Sequence, residues 1–175
     1  LSEVFIEERK ASLKALLTAM GAAKRPRIHL GAEVLICKGL ENMEGLEKLC
    51  VEGTDVLLLE MPFTHDSWDS ELFHTVHEMK KKGYRIVLAH VDRYPADLIE
   101  EMFDMGVQGQ INAGSLSKLF KPKPLLRWID EGNIVALGSD LYAIGLHLRI
   151  FERETPPLGK SNLLANVLCH ANQWQ

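Results

Sequence analysis

Five apolar stretches alternate with helix-like stretches along this chain, and each apolar stretch ends on a polar residue. They cover residues 28–33, 56–60, 85–90, 109–112 and 134–140, and they end at Glu33, Glu60, His90, Asn112 and Asp140. Successive end residues lie roughly 20 to 30 positions apart, about the length of one strand plus one crossover helix. A strand buried on both faces is continuously apolar. The pattern therefore predicts parallel βα units in an α/β fold.

The stretches between these strands have the periodicity and the end residues of helices. Apolar residues at helical spacing predict a first helix over about residues 2–23. Gly83 and Gly106 end predicted helices at about 68–82 and 95–105. Other predicted helices cover about residues 116–120, 124–131 and 161–174, and residues 39–49 are predicted to form a short helix or turn region. We expect residues 1–175 to form a single domain.

Composition narrows the class of protein. The chain has 175 residues, of which 46% are hydrophobic and 25% charged, as is usual for one globular domain with a sizeable core. A formal net charge of −4 gives no electrostatic reason to expect nucleic acid or an anionic membrane surface as a partner. No stretch reaches the roughly 18 apolar residues of a membrane span. Cys37, Cys50 and Cys169 are widely spaced, which favours reduced thiols in a cytoplasmic protein.

The polar residues at the strand ends predict a site. The carboxyl ends of parallel strands meet on one rim, so we expect Glu60, His90 and Asp140 to lie within a few ångströms of a common point. Carboxylate and imidazole groups together suit a divalent metal ion. Plainer roles are open as well: His90 could be a hydrogen-bonded core histidine, Asp140 a helix N-cap, and Asn112 a turn cap.

Four motifs occur in a specific order along the chain. They are Glu60-Met61-Pro62-Phe63, Ala89-His90-Val91-Asp92-Arg93-Tyr94, Gln110-Ile111-Asn112-Ala113-Gly114-Ser115-Leu116 and Gly138-Ser139-Asp140. Together they resemble the PHP (polymerase and histidinol phosphatase) superfamily, in the branch of bacterial tyrosine-protein phosphatases of capsule and exopolysaccharide operons. The resemblance runs from about residue 2 to residue 140, and Gly31-Ala32-Glu33 adds to it.

The resemblance implies a distorted (β/α)7 barrel that holds a cluster of divalent metal ions, often Mn²⁺. It implies hydrolysis of phosphotyrosine on a partner tyrosine kinase of polysaccharide export. By position, Glu60 would bridge two ions, and His90 and Asp140 would each ligate one. Arg93 would hold the substrate phosphate, and the resemblance implies that Arg93 and Asp140 are the catalytic residues. Residues expected to orient a ligand or contact substrate are Glu33, Asn112, Tyr142, His147 and Arg149.

The chain also departs from the family pattern. The family's His-x-His on a first strand, and a histidine from a second strand, have no counterpart here. Tyr142 stands where the family has a metal-binding histidine, and His147 stands where it has an arginine. We therefore expect about five βα units of an incomplete barrel, with weak Mn²⁺ binding and with poor or no hydrolysis of phosphotyrosine or p-nitrophenyl phosphate. We also expect an unpaired strand edge beside Glu33, which invites self-association or segment exchange.

Three functions follow from these observations. The first is metal-dependent hydrolysis of phosphotyrosine in capsule or exopolysaccharide synthesis. The second is a non-catalytic PHP-like scaffold that binds a partner, which the tyrosine at position 142 favours. The third is hydrolysis of a small phosphorylated metabolite such as histidinol phosphate.

Overall fold

The computed structural model of the protein describes residues 3–21, 28–64, 67–116, 123–139 and 168–169. The α-helices in these residues are α1 (Glu3–Met20), α2 (Ser70–Lys81), α3 (Ala96–Asp104), α4 (Ala113–Leu116) and α5 (Lys123–Asp130). The strands are β1 (Glu33–Leu35), β2 (Val56–Glu60), β3 (Arg85–Leu88), β4 (Gln108–Asn112), β5 (Ile134–Gly138) and β6 (Leu168–Cys169). Short 3-10 turns lie at Leu40–Asn42, Leu46–Leu49 and Val91–Arg93. In this described part of the chain, no helix is long and apolar enough to cross a membrane.

The strands form one parallel sheet in the order β5-β4-β3-β2-β1-β6. Strands β1 to β5 are therefore neighbours in the sheet in the same order as in the sequence. This arrangement confirms the predicted α/β fold with parallel βα units. Closure of the sheet into a seven-stranded barrel stays a prediction.

The two faces of the sheet have different surroundings. On β2, Leu57 and Leu59 are fully buried, whereas Leu58 between them is only partly buried. The buried face packs against helices through a continuous apolar core. The opposite face borders a cavity of about 610 Å³, lined in part by Leu58, Val87 and Ala136. Helices thus cover one face of the sheet, and the described residues leave an open space on the other.

Helix α2 starts slightly later than the sequence indicates. The expected start was near residue 68, after a loop with several capping residues. In the structure Asp69 is the N-cap, and its carboxylate accepts a hydrogen bond of 3.0 Å from the backbone N–H of Leu72. This bond holds the pKa of Asp69 below its usual value, and the ion pair with Lys38 adds to the effect.

The prediction for the first strand is wrong in position. The apolar stretch 28–33 was expected to be a strand that ends at Glu33, but β1 begins at Glu33. The preceding residues bond elsewhere: the N–H of Ala32 donates to the carbonyl of Leu49, and the carbonyl of Leu30 accepts from the N–H of Glu52. Strand β2 begins only at Val56, so this part of the chain bonds to the 3-10 turn that ends at Leu49 and to the residues after it, and not to a strand.

The prediction of an unpaired edge beside Glu33 is also wrong. Strand β6 pairs in parallel with β1, with Glu33 opposite Leu168 and Val34 opposite Cys169. These two residues of β6 were expected to lie within a final helix over 161–174, and the rest of that helix lies outside the described residues. Pairing satisfies the backbone groups that an exposed edge would leave to water or to another chain.

Candidate metal centre

Three ionisable side chains meet at the carboxyl end of the sheet. The Nε2 atom of His90 lies 3.3 Å from a carboxylate oxygen of Glu33 and 3.4 Å from one of Glu60. One ligand atom from each residue lies within 4.8 Å of the other two. His90 is almost fully buried, with a side chain 1% exposed, and the two carboxylates are partly buried. We call these three residues the Glu33–Glu60–His90 cluster.

Strand register explains why residues from different parts of the chain converge here. Glu60 is the last residue of β2, and His90 follows β3 directly. Glu33 is opposite Leu58, two residues before Glu60. Because side chains two residues apart share a face, Glu33 and Glu60 both project from the open face of the sheet. A glutamate that begins β1 can therefore reach the rim formed by the ends of β2 and β3.

His90 adopts an unusual backbone conformation. It is the non-glycine residue with positive φ in the described part of the chain, at φ 35° and ψ 49°. The buried side chain of Gln110 stabilises this backbone conformation, because the Gln110 Oε1 accepts a hydrogen bond of 2.6 Å from the His90 N–H. The Gln110 Nε2 donates to the carbonyl of Ile111 at 2.6 Å. A Cβ at Gly138 would collide with the amide of Gln110, so the glycine makes room for this support.

The amino-acid sequence matches a known protein family. The sequence model of the capsular polysaccharide synthesis family CpsB/CapC matches residues 2–132. This chain belongs to the CpsB/CapC family. The match confirms the resemblance to capsule-type PHP proteins that the ordered motifs indicate. No curated protein matches this chain by sequence.

A solved structure gives a comparison of folds. This chain is similar to a crystal structure from work on YwqE of Bacillus subtilis and CpsB of Streptococcus pneumoniae, which are described as unique metal-dependent tyrosine phosphatases. The sequences are 23% identical and the TM-score is 0.62. The similarity covers 89% of this chain and 67% of the other. At this level of identity the comparison shows a shared fold.

Of the other predicted site residues, the structure describes Arg93 and Asn112. Arg93 is exposed, three residues after His90, and its backbone N–H donates to the His90 carbonyl at 2.9 Å. Asn112 ends β4, and its buried side-chain oxygen has no hydrogen-bond partner among the described residues. The remaining predicted site residues, which lie outside the described part of the chain, are Asp140, Tyr142, His147 and Arg149. Their roles, and those of Arg93 and Asn112, stay predictions.

Two residues beside the cluster, Asp92 and Gln110, were not among the predicted site residues. Asp92 accepts hydrogen bonds from the Asn112 N–H at 2.9 Å and the Ser115 hydroxyl at 2.6 Å, which links the end of β3 to the start of α4. Gln110 holds the backbone of His90. Both lie inside the ordered motifs, next to the residues assigned to the site. The signal in the sequence was that Asp92 and Gln110 lie within two residues of His90 and Asn112 in these motifs. Their hydrogen-bond partners, however, lie in other strands and helices and depend on the fold.

Tyr94 fixes the chain just after Glu60. Its hydroxyl accepts from the backbone N–H of Met61 and donates to the Met61 carbonyl, both at 3.0 Å. All three groups are buried. We expect Tyr94→Phe to lower the free energy of unfolding by about 1–3 kcal/mol, because it leaves two buried backbone groups unsatisfied. Urea denaturation followed by circular dichroism measures this change.

The matched control is Tyr84→Phe, just before β3. Tyr84 packs against the same core, but its hydroxyl has no hydrogen-bond partner among the described residues. We expect Tyr84→Phe to change the free energy of unfolding by less than about 0.5 kcal/mol. Equal losses for both variants would contradict the role given to the Tyr94 hydroxyl.

Proposed function

We propose that this chain acts as a metal-dependent phosphatase on phosphotyrosine. The observation that carries the proposal is the Glu33–Glu60–His90 cluster, in which three donor atoms lie within 4.8 Å of one another. The cluster stands at the carboxyl ends of parallel strands, where barrel enzymes place their chemistry. Membership of a capsular polysaccharide synthesis family supports the proposal.

The donor set fits a divalent metal ion. Two carboxylates and one imidazole combine oxygen and nitrogen ligands that suit Mn²⁺ or a similar ion, and they offset its charge. Two glutamates this close repel each other unless a proton or a cation lies near them. A bound ion would activate water and neutralise charge on phosphoryl oxygens. Glu33, Glu60 and His90 would hold it, with Asp140 as a further proposed ligand and catalytic residue.

The protein groups around the cluster would bind and orient the phosphate ester. Arg93, at the end of the turn after His90, is proposed to hold the phosphoryl oxygens, since a planar guanidinium suits them. In the overall reaction, the oxygen of water bonds to phosphorus and the bond from phosphorus to the phenolic oxygen breaks. The phenolic oxygen leaves with a proton, and the products are tyrosine and inorganic phosphate.

The proposed substrate is a phosphotyrosine protein. The fold neighbour is described as a metal-dependent tyrosine phosphatase, and the family acts in capsular polysaccharide synthesis. A tyrosine kinase of polysaccharide export would combine both features. The alternative is a partner-binding scaffold without catalysis, which the tyrosine at position 142 favours.

Metal-dependent turnover distinguishes these functions. With added Mn²⁺, we expect this chain to release phosphate from p-nitrophenyl phosphate and from a phosphotyrosine peptide, and EDTA should abolish the release. We expect the turnover to be slow, because three donors suit one ion while such hydrolysis often uses two neighbouring ions. Mn²⁺ binding without any phosphate release would support the scaffold. Faster release from histidinol phosphate would support the small-metabolite alternative.

A further inference from the structure

A large aromatic side chain is exposed directly beside the cluster. Phe63 follows Glu60 by three residues, and its side chain is 60% exposed. Its ring is nearly parallel to the His90 imidazole, with centroids 5.8 Å apart and an interplanar angle of 13°. A single exposed phenylalanine needs no special explanation. Its stacking on a residue of the proposed metal centre does suggest a role there.

Phe63 follows two residues whose backbones are held by buried side chains. Before it, the backbone of Met61 is bound by the Tyr94 hydroxyl, and the carbonyl of Pro62 accepts a hydrogen bond of 2.8 Å from the indole N–H of Trp68. The Phe63 ring also lies 5.6 Å from the ring of Tyr94. Tyr94 and Trp68 are buried. The exposed ring is therefore held in position before any ligand arrives.

We infer that Phe63 is the aryl-binding surface of this site and makes it select aryl phosphates over alkyl phosphates. The inference rests on the proposed function. In a phenyl phosphate bound at the cluster, the ring would lie only a few bonds from the phosphoryl group, and Phe63, which stacks on His90, is the exposed aromatic ring beside it. Aromatic rings pair favourably with centroids about 4.5–7 Å apart. A phosphoserine side chain has no ring to make this contact.

The contact predicts a modest and measurable preference. An aromatic pair corresponds to roughly a three- to tenfold gain in affinity. Phosphonates test this without turnover, because their carbon–phosphorus bond is not hydrolysed as an ester. We expect the Mn²⁺-loaded wild-type chain to bind benzylphosphonate roughly three- to tenfold more tightly than butylphosphonate. Titration calorimetry measures both affinities.

Variants at position 63 assign the preference to the ring. Phe63→Leu should bind both phosphonates with nearly equal affinity, whereas Phe63→Tyr should keep the preference. Phe5→Leu is the matched control, because Phe5 is partly buried on α1, where it contacts Arg9. A Mn²⁺ titration of each variant reports whether His90, on which Phe63 stacks, still binds metal normally.

The outcomes separate this inference from the proposed function. Equal wild-type affinity for the two phosphonates overturns the inference and leaves the phosphatase proposal intact. A preference that persists in Phe63→Leu also overturns the inference alone. If neither phosphonate binds to the Mn²⁺-loaded chain, both the phosphatase proposal and the inference fail.

Discussion

Replacing Glu60 with glutamine is expected to remove Mn²⁺ binding and to lower kcat/KM by more than about 100-fold, beyond the 10–100-fold typical of residues that only orient ligands. The substitution keeps the size of the side chain but removes its negative charge. One of the three donor atoms that lie within 4.8 Å of one another becomes a neutral amide. Metal analysis after dialysis and p-nitrophenyl phosphate turnover measure the two effects.

Glu33→Gln should be as severe as Glu60→Gln. The motifs predict that Glu33 orients a ligand, but its carboxylate lies as close to His90 as that of Glu60, at 3.3 Å against 3.4 Å. A loss in the range of about 10–100-fold would instead support the orienting role. The matched control is Glu44→Gln, an exposed glutamate in the loop between two 3-10 turns.

Thermal unfolding distinguishes loss of a ligand from loss of the fold. A metal that binds only the folded state stabilises it by about 2.7 kcal/mol at roughly 100 times its Kd. Wild type and Glu44→Gln should show this Mn²⁺-dependent stabilisation, and Glu60→Gln should not. Without metal, Glu60→Gln should still unfold in a single cooperative transition, which shows that the variant keeps the fold. Full Mn²⁺ binding by Glu60→Gln would exclude the cluster as the metal site.

Leu57→Ala is expected to lower the free energy of unfolding by about 2–5 kcal/mol. The Leu57 side chain is fully buried between the sheet and its covering helices. Truncation to alanine removes apolar contacts and leaves a cavity that the packed core only partly closes. Since folded domains of this size have about 5–15 kcal/mol of stability, the loss is a large fraction of the total. Urea denaturation measures it.

The neighbouring residue provides a matched control on the other face of the sheet. Leu58 is only partly buried and borders the cavity of about 610 Å³. Leu58→Ala should therefore cost clearly less than Leu57→Ala, because fewer contacts are lost and no enclosed void forms. Equal losses would mean that both faces of β2 are packed to the same extent.

The local pattern of apolar and polar residues was sufficient to predict β2 and β3 and to assign Glu60 and His90 to the site. The unbroken apolar run at 56–60 predicted β2 with the observed bounds, and its final glutamate was assigned to the site. The strand before His90 was predicted from the same pattern, and the structure brings His90 to Glu60. Both predictions depended on an apolar run and on the polar residue directly at its end. Because the strands are parallel, their carboxyl ends lie on the same edge of the sheet, which brings Glu60 and His90 together.

The failures have a different physical origin. The apolar stretch 28–33 fits a strand, but Ala32 and Leu30 bond to a loop near Leu49 and Glu52, which sequence periodicity does not show. The pairing of β1 with β6 joins residues far apart along the chain. Gln110 was part of a recognised motif, yet its contact with the His90 backbone depends on the left-handed conformation there. Pairings between distant segments are decided by the whole fold.

The left-handed conformation of His90 also bears on how this protein could be made more stable. Residues other than glycine lose roughly 1–2 kcal/mol in this backbone region, because Cβ crowds the following carbonyl oxygen. Glycine at position 90 would relieve this backbone cost, but it would also remove an imidazole that is only 1% exposed and leave a cavity beside Glu33 and Glu60. Because emptying a buried site of this size costs about 2–5 kcal/mol, the exchange would lower stability overall. A library screened for heat resistance alone would therefore keep the histidine for its packing, and with it the proposed metal centre.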